Sequence, residues 1–213
     1  MQTWNTDKKT FRLDKKDILR MLLWGVLFYF TWLFMHGADR LLAMTPEAMG
    51  KYFPVRYAII LHITAGGGAL LSGLIQFWPI LRNYSWKLHR LIGFLYLLAV
   101  LTSSVTAVIL AFTTAYDVNW AYAFSVQVWA MVWITSTFIA YYAAIQKKFN
   151  LHRQWMVRSY LVTLAFMVSG LLLKTSMVQQ LGSFEDISPS FFWLGWSVPL
   201  YVYEMWLSRK AKS

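Results

Sequence analysis

The sequence predicts an all-α protein, a polytopic transmembrane helical bundle of about six spans with both termini cytoplasmic. Three observations predict it. The 213 residues are 58% hydrophobic and only 14% charged, a composition that suits lipid as solvent better than water. Six almost uncharged stretches approach or exceed the roughly 20 residues that cross about 30 Å of hydrocarbon at about 1.5 Å per residue. The basic residues, finally, collect in alternate loops.

The stretches are taken in chain order. The first, Met21 to Ala38, follows a basic segment over residues 1–20; its apolar run exceeds the usual signal-peptide core and no A-x-A site follows, so it reads as a retained helix. The second is Tyr57 to Leu81, after a turn-prone segment around Pro46 and Pro54. The third is Leu91 to Tyr116 and the fourth Val118 to Gln146. The fifth begins near Ser159, carries one charge at Lys174 and ends around Gly182. The sixth, Ile187 to Tyr203, is the shortest and contains Pro189 and Pro199, so it is the span expected to be tilted or incomplete. The transmembrane domain is thus 21–208, with a basic tail at 209–213.

With the N-terminus inside, 16 of the 20 basic residues fall on the inner side: Lys8, Lys9, Arg12, Lys15, Lys16, Arg20, Arg82, Lys87, Arg90, Lys147, Lys148, Arg153, Arg158, Arg209, Lys210 and Lys212. The outer loops hold Arg40, Lys51 and Arg56. This asymmetry explains the formal net charge of +11 without invoking nucleic acid. It also supports an even number of spans, which returns the basic tail to the cytoplasm. Cysteine is absent, which excludes disulfides, thiolate metal sites, Cys-ligated iron–sulfur clusters and covalent haem attachment.

Topology sorts the four histidines into two depths. His36 and His62 lie roughly 8 Å below the outer boundary on the first and second helices. His89 and His152 lie at the cytoplasmic mouths of the third and fifth. Two imidazoles on facing helices are what axial ligation of a haem iron needs. His62 is the principal candidate, because Gly66, Gly67, Gly68, Ala69 and Gly73 follow it, and small residues admit a planar ring or a neighbouring backbone. The same stripe serves tight helix packing in lipid equally well. His36, nearer the interface, reads as an interfacial polar residue before it reads as a partner of His62. His62 and His89 are separated by about 19 residues of helix, ~28 Å, too far to share one iron.

At the inner end, Arg153 and Arg158 beside His152 suit an anionic group, a lipid phosphate ahead of a haem propionate. Lys174 sits near the outer end of its span, where its amine snorkels to water or pairs with Glu185 or Asp186. Glu204 is expected to pair with a cytoplasmic base, and Asp39-Arg40 to form an interfacial ion pair or cap. No phosphate-cradling glycine loop, nucleophile–base set or intramembrane acidic pair indicates hydrolysis. An internal echo joins Leu88-His89-Arg90 to Leu151-His152-Arg153, each followed by a tyrosine, Tyr96 or Tyr160.

These residues resemble a family. His62-Ile-Thr-Ala-Gly66, Gly73, Gln76-Phe77, Leu81-Arg82 and Leu88-His89-Arg90-Leu-Ile-Gly93 with Tyr96 resemble the signature of the bacterial membrane family called domain of unknown function 2306. So does His152-Arg-Gln-Trp155-Met156-Val-Arg158-Ser159-Tyr160. The likeness covers about residues 57–175, and the H-R-x-W-M-x-R string is its most specific part. The resemblance names no activity; it implies a bacterial inner membrane as the location and His62, His89, His152, Arg153 and Arg158 as the positions of interest, with Lys174 where family members carry Arg. His36 lies outside it. Histidines on several helices of a small bundle are also similar to b-type cytochromes such as the cytochrome b561 group, an analogy of fold alone.

The leading expectation is therefore a haem-b-type redox protein that moves electrons within the membrane, with His62 as ligand of the haem iron. A small transporter or channel using His and Lys174 is the first alternative. The other is a non-catalytic subunit or assembly partner of a membrane complex, or a self-associating protein, suggested by the Trp- and Tyr-rich surface.

Overall fold

A computed structural model describes residues 15–78 and 85–212, and among these every regular element is helical. Lys8, Lys9, Arg12, Leu81 and Arg82, used in the readings above, lie outside the described residues. Six long helices carry the fold: α1 (Lys15–His36), α2 (Arg56–Phe77), α3 (Trp86–Leu110), α4 (Trp120–Ile145), α5 (Phe149–Leu172) and α6 (Phe184–Lys212). Among the described residues four helical segments are long and apolar enough to cross a membrane, and they contain α2, α3, α4 and α5. α1 carries a shorter apolar stretch, Met21–His36.

Local chemistry sets the boundaries. Ser85 starts α3 by accepting the Leu88 amide at 3.3 Å, and Asn119 starts α4 by accepting the Tyr122 amide at 2.7 Å. A single π-turn, Ala111–Ala115, closes α3 before the tight turn to α4. Between α1 and α2 the proline-punctuated segment forms two one-turn helices, Asp39–Leu42 and Pro46–Met49, and a 3-10 stretch, Gly50–Val55. Gly50 takes φ of 52°, a left-handed conformation that glycine adopts at little cost.

Two expected stretches are redrawn. The apolar stretch from near Ser159 belongs to a helix that starts at Phe149, close to the mouth expected at His152, and ends at Leu172 rather than around Gly182, so Lys174 lies in the turn beyond it. Hydropathy undercounts here because the polar His152–Arg158 segment is helical while lying outside the most apolar window. The sixth helix is a single 29-residue element that runs through both Pro189 and Pro199. Neighbouring helices re-satisfy the backbone around such prolines. Its apolar part remains short, because Glu185, Asp186, Glu204 and Arg209 lie within the same helix.

α2 packs along α3 and α4 along α5; α3 and α4 adjoin, α6 lies against α4 and α5, and α1 touches α2 and α5. Glycines set the closest approaches at these seams. A methyl group at Gly73 of α2 would overlap the ring of Tyr160 from α5, and one at Gly67 would lie 2.9 Å from Met35 Cε of α1. A methyl at Gly170 of α5 would lie 2.6 Å from the Phe34 ring. Such small-residue contacts let helices associate where lipid removes the hydrophobic drive between them.

Candidate functional site

His62 projects from the first half of α2 toward α3 and α5. Its Nδ1 lies 3.0 Å from the Ser103 carbonyl oxygen, with Ser103 Oγ at 3.2 Å and Thr106 Oγ1 at 3.5 Å. Both hydroxyls already donate to carbonyls, Ser103 to His62 O and Thr106 to Thr102 O. The carbonyl of Ser103 can only accept, so Nδ1 carries the proton and Nε2 presents the lone pair. The Phe166 ring meets the imidazole edge-on at 6.0 Å between centroids. Among the described residues Nε2 makes no hydrogen bond.

His152 repeats this arrangement at the other end of the bundle. Its Nδ1 lies 2.8 Å from the Ala140 carbonyl of α4, which again places the proton on Nδ1 and leaves Nε2 without a hydrogen bond among the described residues. His89 is half-buried at the start of α3, its ring edge-on to Trp86 and its carbonyl accepting from Gln76 Nε2 at 2.6 Å. His36 turns outward: it is paired with Asp39 and stacked on Trp32 at 5.4 Å. The structure thus brings His36 and His62 onto different neighbours and not onto each other. Asp39 takes His36 as its partner, not Arg40, which donates instead to the Glu47 carbonyl at 3.1 Å.

The anion-binding reading of Arg158 meets a competitor. Its Nε and Nη2 donate to the two carboxylate oxygens of Glu204 at 2.6 and 3.0 Å, a bidentate pair that ties α5 to α6. The guanidinium also stacks on Trp155 at 4.6 Å and on Tyr203 at 5.4 Å. It is 14% exposed, so its charge is spent inside the protein, whereas Arg153 is exposed. Glu204 has the basic partner expected of it. Lys174 pairs with neither Glu185 nor Asp186. Its amine lies against Gly37, where a methyl group would be 2.6 Å away, beside the Phe34 and Leu33 carbonyls that end α1. A cation there complements the carbonyl end of the helix.

The most developed polar constellation is one that sequence reasoning missed. In the bundle centre Tyr96 Oη of α3 lies 2.7 Å from Ser159 Oγ and 2.9 Å from Thr163 Oγ1 of α5. Thr137 Oγ1 of α4 lies 2.6 Å from Ser159 Oγ, and the Trp133 indole donates to Thr163 Oγ1 at 2.8 Å. Tyr160 of α5 reaches the opposite way, donating to the Leu70 carbonyl of α2 at 3.2 Å. The signal was present as paired small hydroxyl residues four apart, Ser159 and Thr163, inside an apolar run. In the sequence the two tyrosines stand out through the echo and the family motifs, and nothing there pairs them with these hydroxyls.

Among the described residues no three His, Asp or Glu side chains gather as a metal site. The glycine stripe after His62 is filled, by Met35 over Gly67 and by Tyr160 over Gly73, so it offers no open bed for a planar ring.

A family model described as predicted membrane protein (DUF2306) matches residues 59–207. The match starts just inside α2, takes in α3, α4 and α5, and reaches into α6, further than the motifs in the sequence carried it. His36 lies outside it. No curated protein and no solved structure shows a significant match to the chain.

Proposed function

Because the chain belongs to the DUF2306 family of predicted membrane proteins, we propose that it works within the bilayer as a six-span redox protein that takes haem b on the imidazole of His62. The tautomer lock on His62 carries this reading. A ligating histidine needs its second nitrogen held by a carbonyl or carboxylate, which fixes the ring and raises its basicity. Ser103 O holds Nδ1 in this way while Nε2 makes no hydrogen bond among the described residues. His152, held by Ala140 O, offers the same chemistry at the opposite end.

The donor set fits a haem iron in part. His62 would hold the haem iron from this chain, and no second histidine contacts it among the described residues. Haem b, when bound, supplies the one-electron couple. The protein's share is to orient the His62 ring through Ser103 and to shield it with Phe166. The glycine stripe has a different task, helix packing. Transport on buried charge draws less support: Lys174 lies beyond the end of α5, and Arg158 is neutralised by Glu204. The charge asymmetry of the loops supports an inner-membrane location with both termini cytoplasmic.

The test is the visible spectrum of the full chain in mild detergent, oxidised and dithionite-reduced. A Soret band that shifts on reduction, and that His62→Ala abolishes or moves, is the expected result. A preparation that stays colourless when haem is supplied removes the reading.

A further inference from the structure

Between α3 and α4 lies a slot of about 200 Å³, walled by Leu97 and Leu101 from α3 and by Ile134, Phe138 and Tyr141 from α4. Leu101, Phe138 and Tyr141 are exposed, and both helices are apolar enough to cross a bilayer, so the slot faces hydrocarbon. Helical register continues both walls toward one end. Arg90 precedes Leu97 by seven residues and Leu101 follows Leu97 by four, the spacing of one helix face. On α4, Ile134, Phe138 and Tyr141 are spaced by four and three, after which the chain turns at Lys147 and Lys148 beside a shallow crevice that these two lysines line. Arg90, Lys147 and Lys148 are exposed, and neither wall nor the turn contains an acidic residue.

Depth identifies the occupant. The 11 residues from Arg90 to Leu101 rise about 16 Å, against about 15 Å for half of a 30 Å hydrocarbon core. The track therefore runs from an interface to the midplane of one leaflet, with its cations at the interfacial end. The geometry points to a binding site for one anionic glycerophospholipid, an acyl chain in the slot and the phosphate headgroup among Arg90, Lys147 and Lys148. The slot gives close contact along the tail, and clustered Lys and Arg at a membrane surface attract anionic headgroups. The assignment rests on neither the haem reading nor the side of the membrane that holds the termini.

The experiment is native mass spectrometry of the full chain in mild detergent, offered equal amounts of dioleoyl phosphatidylglycerol and dioleoyl phosphatidylcholine. The two lipids share their chains and differ in net charge. Retention of the phosphatidylglycerol should be favoured about tenfold. The exposed-site variant Arg90→Gln/Lys147→Gln/Lys148→Gln should bring the two lipids to parity. Leu101→Trp, which fills the slot, should lower retention of both. Should that variant fail to fold, dihexanoyl phosphatidylglycerol serves instead, because it carries the headgroup without a tail long enough for the slot and should not displace the dioleoyl lipid. Equal retention of the two dioleoyl lipids by the native chain overturns the assignment. So does selectivity that persists in the triple variant, or displacement by the short-chain lipid at equal concentration.

Discussion

Tyr160 occupies the space that a side chain at Gly73 would need, and the exchange is unforgiving because the neighbour is a ring rather than a flexible tail. Gly73→Ala is expected to cost about 1–3 kcal/mol through overpacking, read as a lower thermal midpoint in detergent. Gly25, with nothing within 4 Å of the added methyl, is the control and should tolerate alanine. Tyr96→Phe tests the hydroxyl cluster differently, by removing one oxygen without changing shape. It takes one partner from each of Ser159 and Thr163, which keep Thr137 and Trp133, and should cost about 1 kcal/mol. At this scale the sequence was legible in type and not in use. The glycine stripe was visible, but whether a cofactor or Tyr160 filled it depended on a helix distant in the chain. Likewise Arg158 read as a free cation because its partner, Glu204, lies 46 residues on.

Helix ends follow rules that can be tested one at a time. Asn119 accepts the Tyr122 amide and donates to the Glu185 carbonyl at 2.8 Å, so it both starts α4 and ties it to the start of α6. Asn119→Ala should therefore cost about 1 kcal/mol for the cap and somewhat more for the lost tie, measured as a fall in thermal midpoint. At the other end of α6, Glu204 is half-exposed and Arg158 is not. Glu204→Gln keeps one acceptor oxygen but leaves the largely buried guanidinium without its counter-charge, and should cost about 1–3 kcal/mol. Arg158→Ala should be worse, because it also empties the space between Trp155 and Tyr203. Elements were largely legible: apolar runs located the long helices, though not their caps, since Asn119 lies inside the fourth run and Ser85 ahead of the third. The end of α5 was not: the apolar run continues to about Gly182 while the helix stops at Leu172, because hydropathy reports the solvent around a segment and backbone hydrogen bonding decides where the helix ends.

For the molecule as a whole, the loop charges predict that reporter fusions at residue 213 and in the α4–α5 turn report the same compartment, and a fusion at Lys51 the opposite one. An odd number of spans would place the C-terminal reporter against that pattern. The pairing of helices was outside the reach of composition, since lipid-facing and buried positions are about equally apolar in such a chain. What orders them is the handful of polar and small residues at the seams. Two of those residues have a further consequence. Tyr96 leaves the α2–α3 pair to bond α5, and Tyr160 leaves the α4–α5 pair to bond α2. The pairs are thus clasped to each other by side chains and need no covalent link to stay together. A chain cut in the α3–α4 turn at Asp117 and produced as two co-expressed fragments should reassemble and co-purify. Phenylalanine at both tyrosines should let the fragments drift apart, which co-purification through a tag on one fragment would detect.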